Sequence, residues 1–236
     1  MNILMLHPHD IYSNSEPWTV RVTYLATEFV KRGHNVRLIY HLIDPRQSLE
    51  DATARQEYPF TTIPAYRHQF ALVAKMRSVT EFARWADVIH FQKCFPHVSI
   101  PALWAGYRLG KPVHYDWDDW EFGIYNYNPM NRHVGTMINA FEKTLPRMVD
   151  SISVASDELR RMAIELGVPE SRLFDGHVGA DWKRSIRATT ASAFAKSITS
   201  TARSCSISGS FTVRNIWNSS SPRPKACWRA GRSRPF

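Results

Sequence analysis

The stretch LATEFVKRGHNVRLIY, residues 25–40, decides the fold class of this 236-residue chain. Its first half places apolar residues at helical spacing and ends in two basic residues followed by Gly33, which is typical of a helix end. Its second half, from Val36 onward, is an apolar run of strand length. A helix that passes through a glycine directly into a buried strand is typical of a parallel α/β sheet, in which helices connect successive strands.

The same alternation continues on both sides of this stretch. The run NILMLH predicts a first strand, and the predicted strands together lie at 2–7, 36–42, 60–63, 87–92, 112–116, 151–154 and 172–178. Helices are predicted between them, at 16–32, 69–85, 100–109, 134–148 and 157–166. Strands separated by helix-length segments predict an α/β, Rossmann-like, doubly wound parallel sheet.

The charge is divided unevenly along the chain. Residues 1–184 contain 21 basic and 21 acidic side chains, whereas residues 185–236 contain nine basic and no acidic ones, so the whole net charge of +9 lies in the second part. The neutral first part gives no reason to expect nucleic acid as a partner. Residues 185–236 have no sustained helical or strand period and are rich in Ser and Arg, which predicts a disordered basic tail after a domain at 1–184.

Composition also excludes or disfavours several other classes. No run approaches 18 apolar residues, and the N-terminus lacks the basic and apolar segments of a signal peptide. The three cysteines have no metal-binding spacing, which suits a reducing compartment, and we therefore expect a cytoplasmic protein. No G-x-G-x-x-G motif follows the first strand, which disfavours a dinucleotide-dependent oxidoreductase.

Four segments together resemble the N-terminal domain of family 4 glycosyltransferases, which have the two-lobed GT-B fold. They are NILMLHPHD (2–10), LATEFVKRGHNVRLIY (25–40), ADVIHFQ (86–92) and RLGKPVHYDWDDWE (108–121). The segment at 151–184 is similar to the family's passage into its interdomain linker. The resemblance implies that residues 1–184 form the single acceptor-side lobe of a GT-B enzyme, with Asp181 in a structural role at the hinge.

The resemblance also implies an activity. An enzyme of this family transfers a sugar from a nucleotide-sugar donor to an acceptor hydroxyl, without a metal or other cofactor. The implied acceptor is a glycan, a lipid-linked molecule or a small molecule, and a lipid-linked acceptor implies peripheral contact with the inner face of a membrane. A non-catalytic Rossmann-like binding module, whose basic tail contacts anionic partners, is the alternative from another class.

Our hypothesis for the end of the family pattern near residue 184 is a shift of the reading frame. Reverse translation of Ser206–Trp217 (SISGSFTVRNIW), started one nucleotide earlier, reads LYLGQLHGAEYL. This resembles the first strand and glycine turn of the family's second lobe. We therefore expect a one-nucleotide insertion or deletion near codon 184, a truncated N-lobe, and no activity of this polypeptide alone. The nucleotide sequence around that codon tests the hypothesis.

The loop after the first strand is one candidate binding segment, because ligands of parallel sheets bind beyond the carboxyl ends of the strands. It offers His9, Asp10, Ser15 and Glu16 beside the start of a helix. Relatives often have a glycine-rich loop here that approaches the donor phosphates, and this chain has no glycine before Gly33. A solvated loop with a helix cap is the open alternative.

His90 is a second candidate, since the family often has a histidine in the corresponding strand. At a strand end beside a cleft it would bind an acceptor hydroxyl or act as a base. A histidine packed within the core is the open alternative.

The acidic run HYDWDDWEFG, residues 114–123, carries the strongest local signal. By register, Asp118 lies where many relatives carry the His of a "vHD" motif that faces the transferred sugar, and Asp119 matches the Asp of that motif. The resemblance thus implies catalytic roles for both, with Asp118 as general base or as a group that stabilises positive charge on the sugar. Asp116 and Trp117 are predicted to bind substrate.

Two further readings of the same run stay open. Asp116, Trp117 and Asp118 also form a D-x-D pattern, which binds Mn²⁺ and diphosphate in the unrelated GT-A fold; we expect a metal-free site because the remaining segments resemble GT-B. Trp117 and Trp120 are suited either to stack on a sugar or to anchor the core.

Overall fold

The computed structural model describes residues 1–13, 19–44, 46–55, 57–67, 71–127, 129 and 131–177. Ser15, Glu16, Asp181 and the whole tail lie outside these residues. The domain boundary at 184, the disorder of the tail and the shifted frame therefore stay predictions.

The described residues form one seven-stranded parallel sheet. Its strands are β1 (Asn2–Leu6), β2 (Asn35–Leu42), β3 (Thr61–Tyr66), β4 (Val88–Gln92), β5 (Val113–Trp117), β6 (Ser151–Val154) and β7 (Leu173–Asp175). They are ordered β3-β2-β1-β4-β5-β6-β7, so the direction of winding reverses between β1 and β4. The predicted Rossmann-like, doubly wound parallel sheet is confirmed.

Helices connect the strands throughout the described part. They are α1 (Thr19–Lys31), α2 (Leu49–Thr53), α3 (Leu72–Ala83), α4 (Pro96–Leu109), α5 (Glu121–Tyr127), α6 (Arg132–Met148) and α7 (Asp157–Glu165). The predicted glycine at the end of α1 is confirmed, because Gly33 has the left-handed φ of 82°. Ser156 caps the predicted helix that begins at residue 157, since its side chain accepts a hydrogen bond from the backbone N–H of Leu159. No helix of the described ranges is long and apolar enough to cross a bilayer.

Several element boundaries differ from the prediction. The short helices α2 and α5 were not predicted, because five and seven residues are too few for helical periodicity to be visible. Helix α4 starts at Pro96 rather than at residue 100, since proline is well tolerated in a first helical turn. Strand β3 continues through Pro64, which is compatible with its position at the edge of the sheet.

Two apolar clusters cover the two faces of the sheet. Leu4 and Leu6 of β1 belong to the larger one, whereas Ile3 and Met5 belong to the cluster on the opposite face. The face that carries Met5 becomes polar towards β4, β5 and β6, because the in-register positions there are His90, His114 and Ser151, followed by Gln92, Asp116 and Ser153. This polar half of one face leads directly to the carboxyl ends of the central strands.

Candidate functional site

The carboxyl ends of β1, β4 and β5 bring three polar side chains together where the strand order reverses. The Nδ1 atom of His7 lies 2.8 Å from Oε1 of Gln92, and Nε2 of Gln92 donates to Oδ2 of Asp118 over 2.6 Å. Because the Gln92 amide nitrogen faces the carboxylate, its oxygen faces His7, so the proton of His7 is on Nδ1. The three side chains form a directed hydrogen-bond chain at the position where doubly wound sheets bind ligands.

His7 is the buried end of this chain. Burial lowers its pKa to about 3, so the ring is neutral at physiological pH. Its Nε2 atom is buried and has no hydrogen-bond partner among the residues that the structure describes.

Lys93, which directly follows β4, lies among three carboxylates. Its ammonium Nζ is 3.4 Å from Oδ1 of Asp118, 2.8 Å from Oδ2 of Asp119 and 2.5 Å from Oε1 of Glu121, and only 3% of the lysine side chain is exposed. Its φ of 68° is in the left-handed region, which is costly for a residue with a Cβ atom. We call Lys93, Asp118, Asp119 and Glu121 the carboxylate cluster.

The protonation of Asp118 differs from that of an ordinary aspartate. Burial raises its pKa from 3.8 to about 6; the charge of Lys93 opposes this rise, and the neighbouring carboxylates add to it. For Lys93, burial by itself would lower the pKa, but the three carboxylates outweigh burial and raise it above its ordinary value. Asp118 can therefore take up and release a proton close to neutral pH, which is what a general base requires.

The carboxylate cluster also has the spacing of a cation site. Oxygen atoms of Asp118, Asp119 and Glu121 lie within 4.8 Å of one another. The ammonium group of Lys93 contacts all three carboxylates. A metal ion at this position would have to compete with a covalently attached cation, which supports the expectation of a metal-free site.

Asp116 lies two residues before Asp118 in a different environment. It is fully buried and accepts hydrogen bonds from Nε and Nη2 of Arg21 at 2.8 and 2.7 Å and from Oγ of Ser153 at 2.6 Å. Burial opposes ionisation of Asp116, but the hydrogen bonds and charge of Arg21 outweigh it and lower the pKa of Asp116. Asp116, which was predicted to bind substrate, thus forms an internal ion pair with Arg21 that links α1 to the sheet.

The contacts of Asp116 and Asp118 also test the hypothesis that the D-x-D pattern binds a metal ion. The oxygens of Asp116 face Arg21 and Ser153, whereas those of Asp118 face Gln92 and Lys93. The two aspartates therefore do not point to a shared ion.

His90 lies in the middle of β4 rather than at the strand end. Its ring stacks on His114 with a centroid distance of 5.2 Å, and burial lowers its pKa. His114 in turn lies within hydrogen-bond distance of Ser151 and Ser153, at 2.8 and 3.0 Å. The expected strand-end position is wrong, and the structure fits the alternative of a histidine packed within the core.

Trp117 is also an internal residue, with 1% of its surface exposed. Its Nε1 donates to Oε1 of Glu142 over 3.0 Å. Glu142 also accepts from the backbone N–H groups of Glu121 and Phe122, at 2.8 and 2.9 Å, so it fixes the start of α5. Trp117 therefore anchors the core, as one of the two interpretations of this residue predicted. Trp120, in contrast, is 46% exposed.

Two of the predicted binding residues in the loop after β1, His9 and Asp10, lie within the described residues, close to the end of the strand. His9 is 9% exposed, and Arg67 donates from Nη2 both to His9 Nδ1 and, over 3.1 Å, to the carbonyl of Pro8. Burial, followed by the charges of His7 and Arg67, lowers the pKa of His9 to about 2. Asp10 accepts from the backbone N–H of Tyr12 over 2.9 Å. Ser15 and Glu16 lie outside the described residues.

Five participants were missed from the sequence: His7, Gln92, Lys93, Arg67 and Glu142. His7, Gln92 and Lys93 lie at or immediately after strand ends, so a survey of every polar residue at these positions would have found them. Glu142 carries no such signal, because it lies in the middle of α6 and approaches the site only through packing.

The chain belongs to a glycosyltransferase family. A family model described as "Glycosyl transferase 4-like domain" matches residues 19–174, which is more than half of the chain. The predicted resemblance to the N-terminal domain of family 4 glycosyltransferases is confirmed. None of the curated proteins matches the chain at a significant level.

Solved structures share the fold at low sequence identity. Sucrose-phosphate synthase from Thermosynechococcus elongatus aligns with a TM-score of 0.57 and 13% identity over 78% of this chain and 49% of its own. UDP-N-acetylglucosamine 2-epimerase from Rickettsia bellii aligns with a TM-score of 0.52 and 14% identity, over 75% of this chain and 44% of its own. Anabaena HepE in complex with UDP aligns with a TM-score of 0.52 and 12% identity, over 77% of this chain and 45% of its own. The chain thus spans about half the length of these proteins.

Proposed function

We propose that residues 1–184 are the acceptor-side lobe of a glycosyltransferase that moves a sugar from a nucleotide-sugar to an acceptor hydroxyl. Asp118 accepts the proton of that hydroxyl. Asp119 and Lys93 supply the negative and positive charges that surround Asp118. One observation carries the proposal: Asp118 accepts a hydrogen bond from Gln92 at the end of β4, beside the reversal of the strand order, and its pKa is raised to about 6. A carboxylate with this pKa is partly protonated near neutral pH and exchanges protons readily.

The donor is proposed from the structures that share the fold. HepE of Anabaena was solved with UDP, and the UDP-GlcNAc 2-epimerase of Neisseria meningitidis, with a TM-score of 0.51 at 10% identity, was solved bound to UDP-GlcNAc. These ligands support a uridine diphosphate sugar as the donor. A glycan, a lipid-linked molecule or a small molecule remains the proposed acceptor, with peripheral membrane contact in the lipid-linked case.

We further propose that the 236-residue polypeptide does not transfer sugar by itself. Residues 185–236 carry no second α/β pattern, and the shifted frame of Ser206–Trp217 resembles the start of the family's second lobe. Donor binding in a GT-B enzyme needs the second lobe, and the shifted frame accounts for its replacement by a basic segment.

The test compares two purified proteins. One is the 236-residue chain, and the other is the product of the same gene with the frame restored near codon 184. Release of UDP from UDP-glucose and UDP-GlcNAc is measured for both; we expect turnover from the restored protein alone. Turnover by the 236-residue chain, or stop codons throughout the alternative frame, would contradict the proposal of a truncated lobe.

The role of Asp118 is tested in the restored protein. We expect Asp118→Asn to reduce turnover at least ~100-fold, because a positioned general base contributes about that much or more. Asp157→Asn is the matched control, since Asp157 is an exposed aspartate at the start of α7. Equal turnover of Asp118→Asn and the unchanged protein would remove Asp118 from the mechanism.

A further inference from the structure

A cavity of about 230 Å³ lies beside the carboxylate cluster, between α5, α6 and α7. Trp117 and Phe122 contribute apolar surface to it, and Trp120 lines it while 46% of that residue remains exposed. This volume is smaller than that of sites for drug-sized ligands and corresponds to a group of about one ring. An exposed tryptophan at the mouth of such a cavity offers a flat apolar surface to a ligand.

The orientation of Trp120 depends on a glycine. A Cβ atom built on Gly123 would lie 2.4 Å from Cε3 and 2.5 Å from Cδ2 of the indole, well inside van der Waals contact. The ring therefore packs directly against the backbone of α5, which only a glycine permits. Glu142 holds the start of this helix through the two backbone N–H groups described above, so the wall of the cavity is fixed before a ligand arrives.

The rim of the cavity carries side chains suited to hydroxyl groups. Asn139 and Lys143 lie one turn apart on α6, and Glu165 lies on α7. An amide both donates and accepts hydrogen bonds, an ammonium donates and a carboxylate accepts. A sugar ring has the same combination: an apolar face for an aromatic ring, and an edge of hydroxyls that donate and accept.

The cavity is adjacent to the reacting groups. Trp120 directly follows Asp119, and two residue steps separate it from Asp118, which places their Cα atoms at most roughly 7.6 Å apart. Glu142, which lines the cavity, accepts from the backbone N–H of Glu121 over 2.8 Å, so the cavity and the carboxylate cluster meet at the start of α5.

We propose that this cavity is a sugar subsite in which a pyranose ring of the acceptor stacks on Trp120, so that the acceptor is a saccharide. The assignment to an acceptor rests on the proposed function, whereas the binding of a saccharide can be measured without it. The polar rim favours a sugar over a lipid chain, because a hydrocarbon chain cannot form hydrogen bonds with Asn139, Lys143 and Glu165.

The test uses the 236-residue chain and three neutral oligosaccharides: maltotetraose, cellotetraose and α-1,6-mannotriose. Saturation-transfer NMR at millimolar ligand is expected to detect binding of at least one of them. Trp120→Ala is expected to weaken that binding about 10-fold, the size of effect expected of one aromatic contact. Trp120→Phe is expected to restore part of it.

Two variants complete the design. Trp104→Ala is the matched control, because Trp104 is 42% exposed but lies on α4, and it should bind as the unchanged protein does. Gly123→Ala keeps every lining side chain but displaces the indole, so it should lose binding to the same extent as Trp120→Ala. Failure of all three oligosaccharides to bind, or equal weakening by Trp104→Ala, would overturn the inference. Loss of saccharide binding in Trp120→Ala, together with unchanged turnover of Asp118→Asn, would instead contradict the proposed role of Asp118 and leave the subsite standing.

Discussion

Asp116 and Asp118 are two residues apart, yet the protein holds them in opposite ways. Asp116 receives two hydrogen bonds from one guanidinium and a third from Ser153, and its pKa is lowered. Asp118 shares a single ammonium with two other carboxylates, and its pKa is raised to about 6. Both are buried, so burial alone does not explain the difference.

The degree to which other charges compensate a buried carboxylate therefore decides whether it is structural or reactive. Asp116 has a full counter-charge with matched geometry, so protonating it would break a connection between α1 and the sheet. For Asp118, burial favours the protonated form, and the excess of negative charge in a group of three carboxylates around one cation adds to this. Four predictions follow the comparison from large effects to small.

Lys93→Met is expected to have the largest effect on stability. It leaves three carboxylates without their cation in a largely buried site, and removal of one partner of a buried ion pair typically costs about 3–5 kcal/mol. Urea unfolding at pH 7.5 measures the loss. Lys93→Gly removes the same charge but relieves the left-handed φ, so it should be less destabilising than Lys93→Met. A loss below 1 kcal/mol for Lys93→Met would show that the cluster does not need its cation.

Asp116→Asn is expected to cost about 3 kcal/mol. Only 12% of the Arg21 side chain is exposed, and the substitution leaves this guanidinium without its carboxylate. Asp175→Asn is the control, because it breaks the largely exposed pair between Arg160 and Asp175 and should cost less than 1 kcal/mol. Equal losses for the two substitutions would remove the distinction between an internal and a surface pair.

Acidification is expected to destabilise the protein through its buried histidines. The pKa of His7 is about 3 in the folded protein against 6.5 for an ordinary histidine. Between these values the unfolded chain binds a proton that the folded chain does not, so the free energy of unfolding falls as the pH decreases. At pH 5 this amounts to about 2 kcal/mol for one such histidine. Urea midpoints at pH 7.5 and 5.0 measure it, and His7→Gln, which keeps an N–H for Gln92, should show a shallower dependence.

Asp118→Asn is expected to have the smallest effect on stability. The folded pKa of Asp118 is raised, so its ionisation opposes folding increasingly from pH 3.8 to pH 6 and fully above pH 6, and removing the charge compensates for the lost contact with Lys93. We expect the stability at pH 7.5 to change by less than about 1 kcal/mol, and any gain to shrink steadily as the pH falls from 6 to 3.8. A loss as large as that of Asp116→Asn would make Asp118 a structural residue.

The order of strands and helices was predictable from the sequence because each buried strand is an apolar run between helix-length segments. The stretch 25–40 carries this information in its spacing alone, and Gly33 and Ser156 mark helix ends through local backbone chemistry. The helix α5 was not predictable in the same way. Its start is held by Glu142, a contact over about 20 residues that no local pattern contains.

The site was predictable in composition but not in its division of roles. Four acidic residues within 116–121 indicated a functional region, but the sequence does not contain the partners of each. Asp116 meets Arg21 across 95 residues, and Asp118 meets Gln92 across 26. The roles follow from these long-range contacts, and so does the placement of His90 inside the core rather than at a strand end.

The most direct test of the account is the pKa of Asp118 itself. A carboxyl-detected NMR titration of the 236-residue chain from pH 7.5 downward, assigned by comparison with Asp118→Asn and Asp116→Asn, follows both aspartates in one sample. We predict that Asp118 titrates near pH 6, while Asp116 titrates below the ordinary value of 3.8. An Asp118 that titrates at or below 3.8 would contradict it.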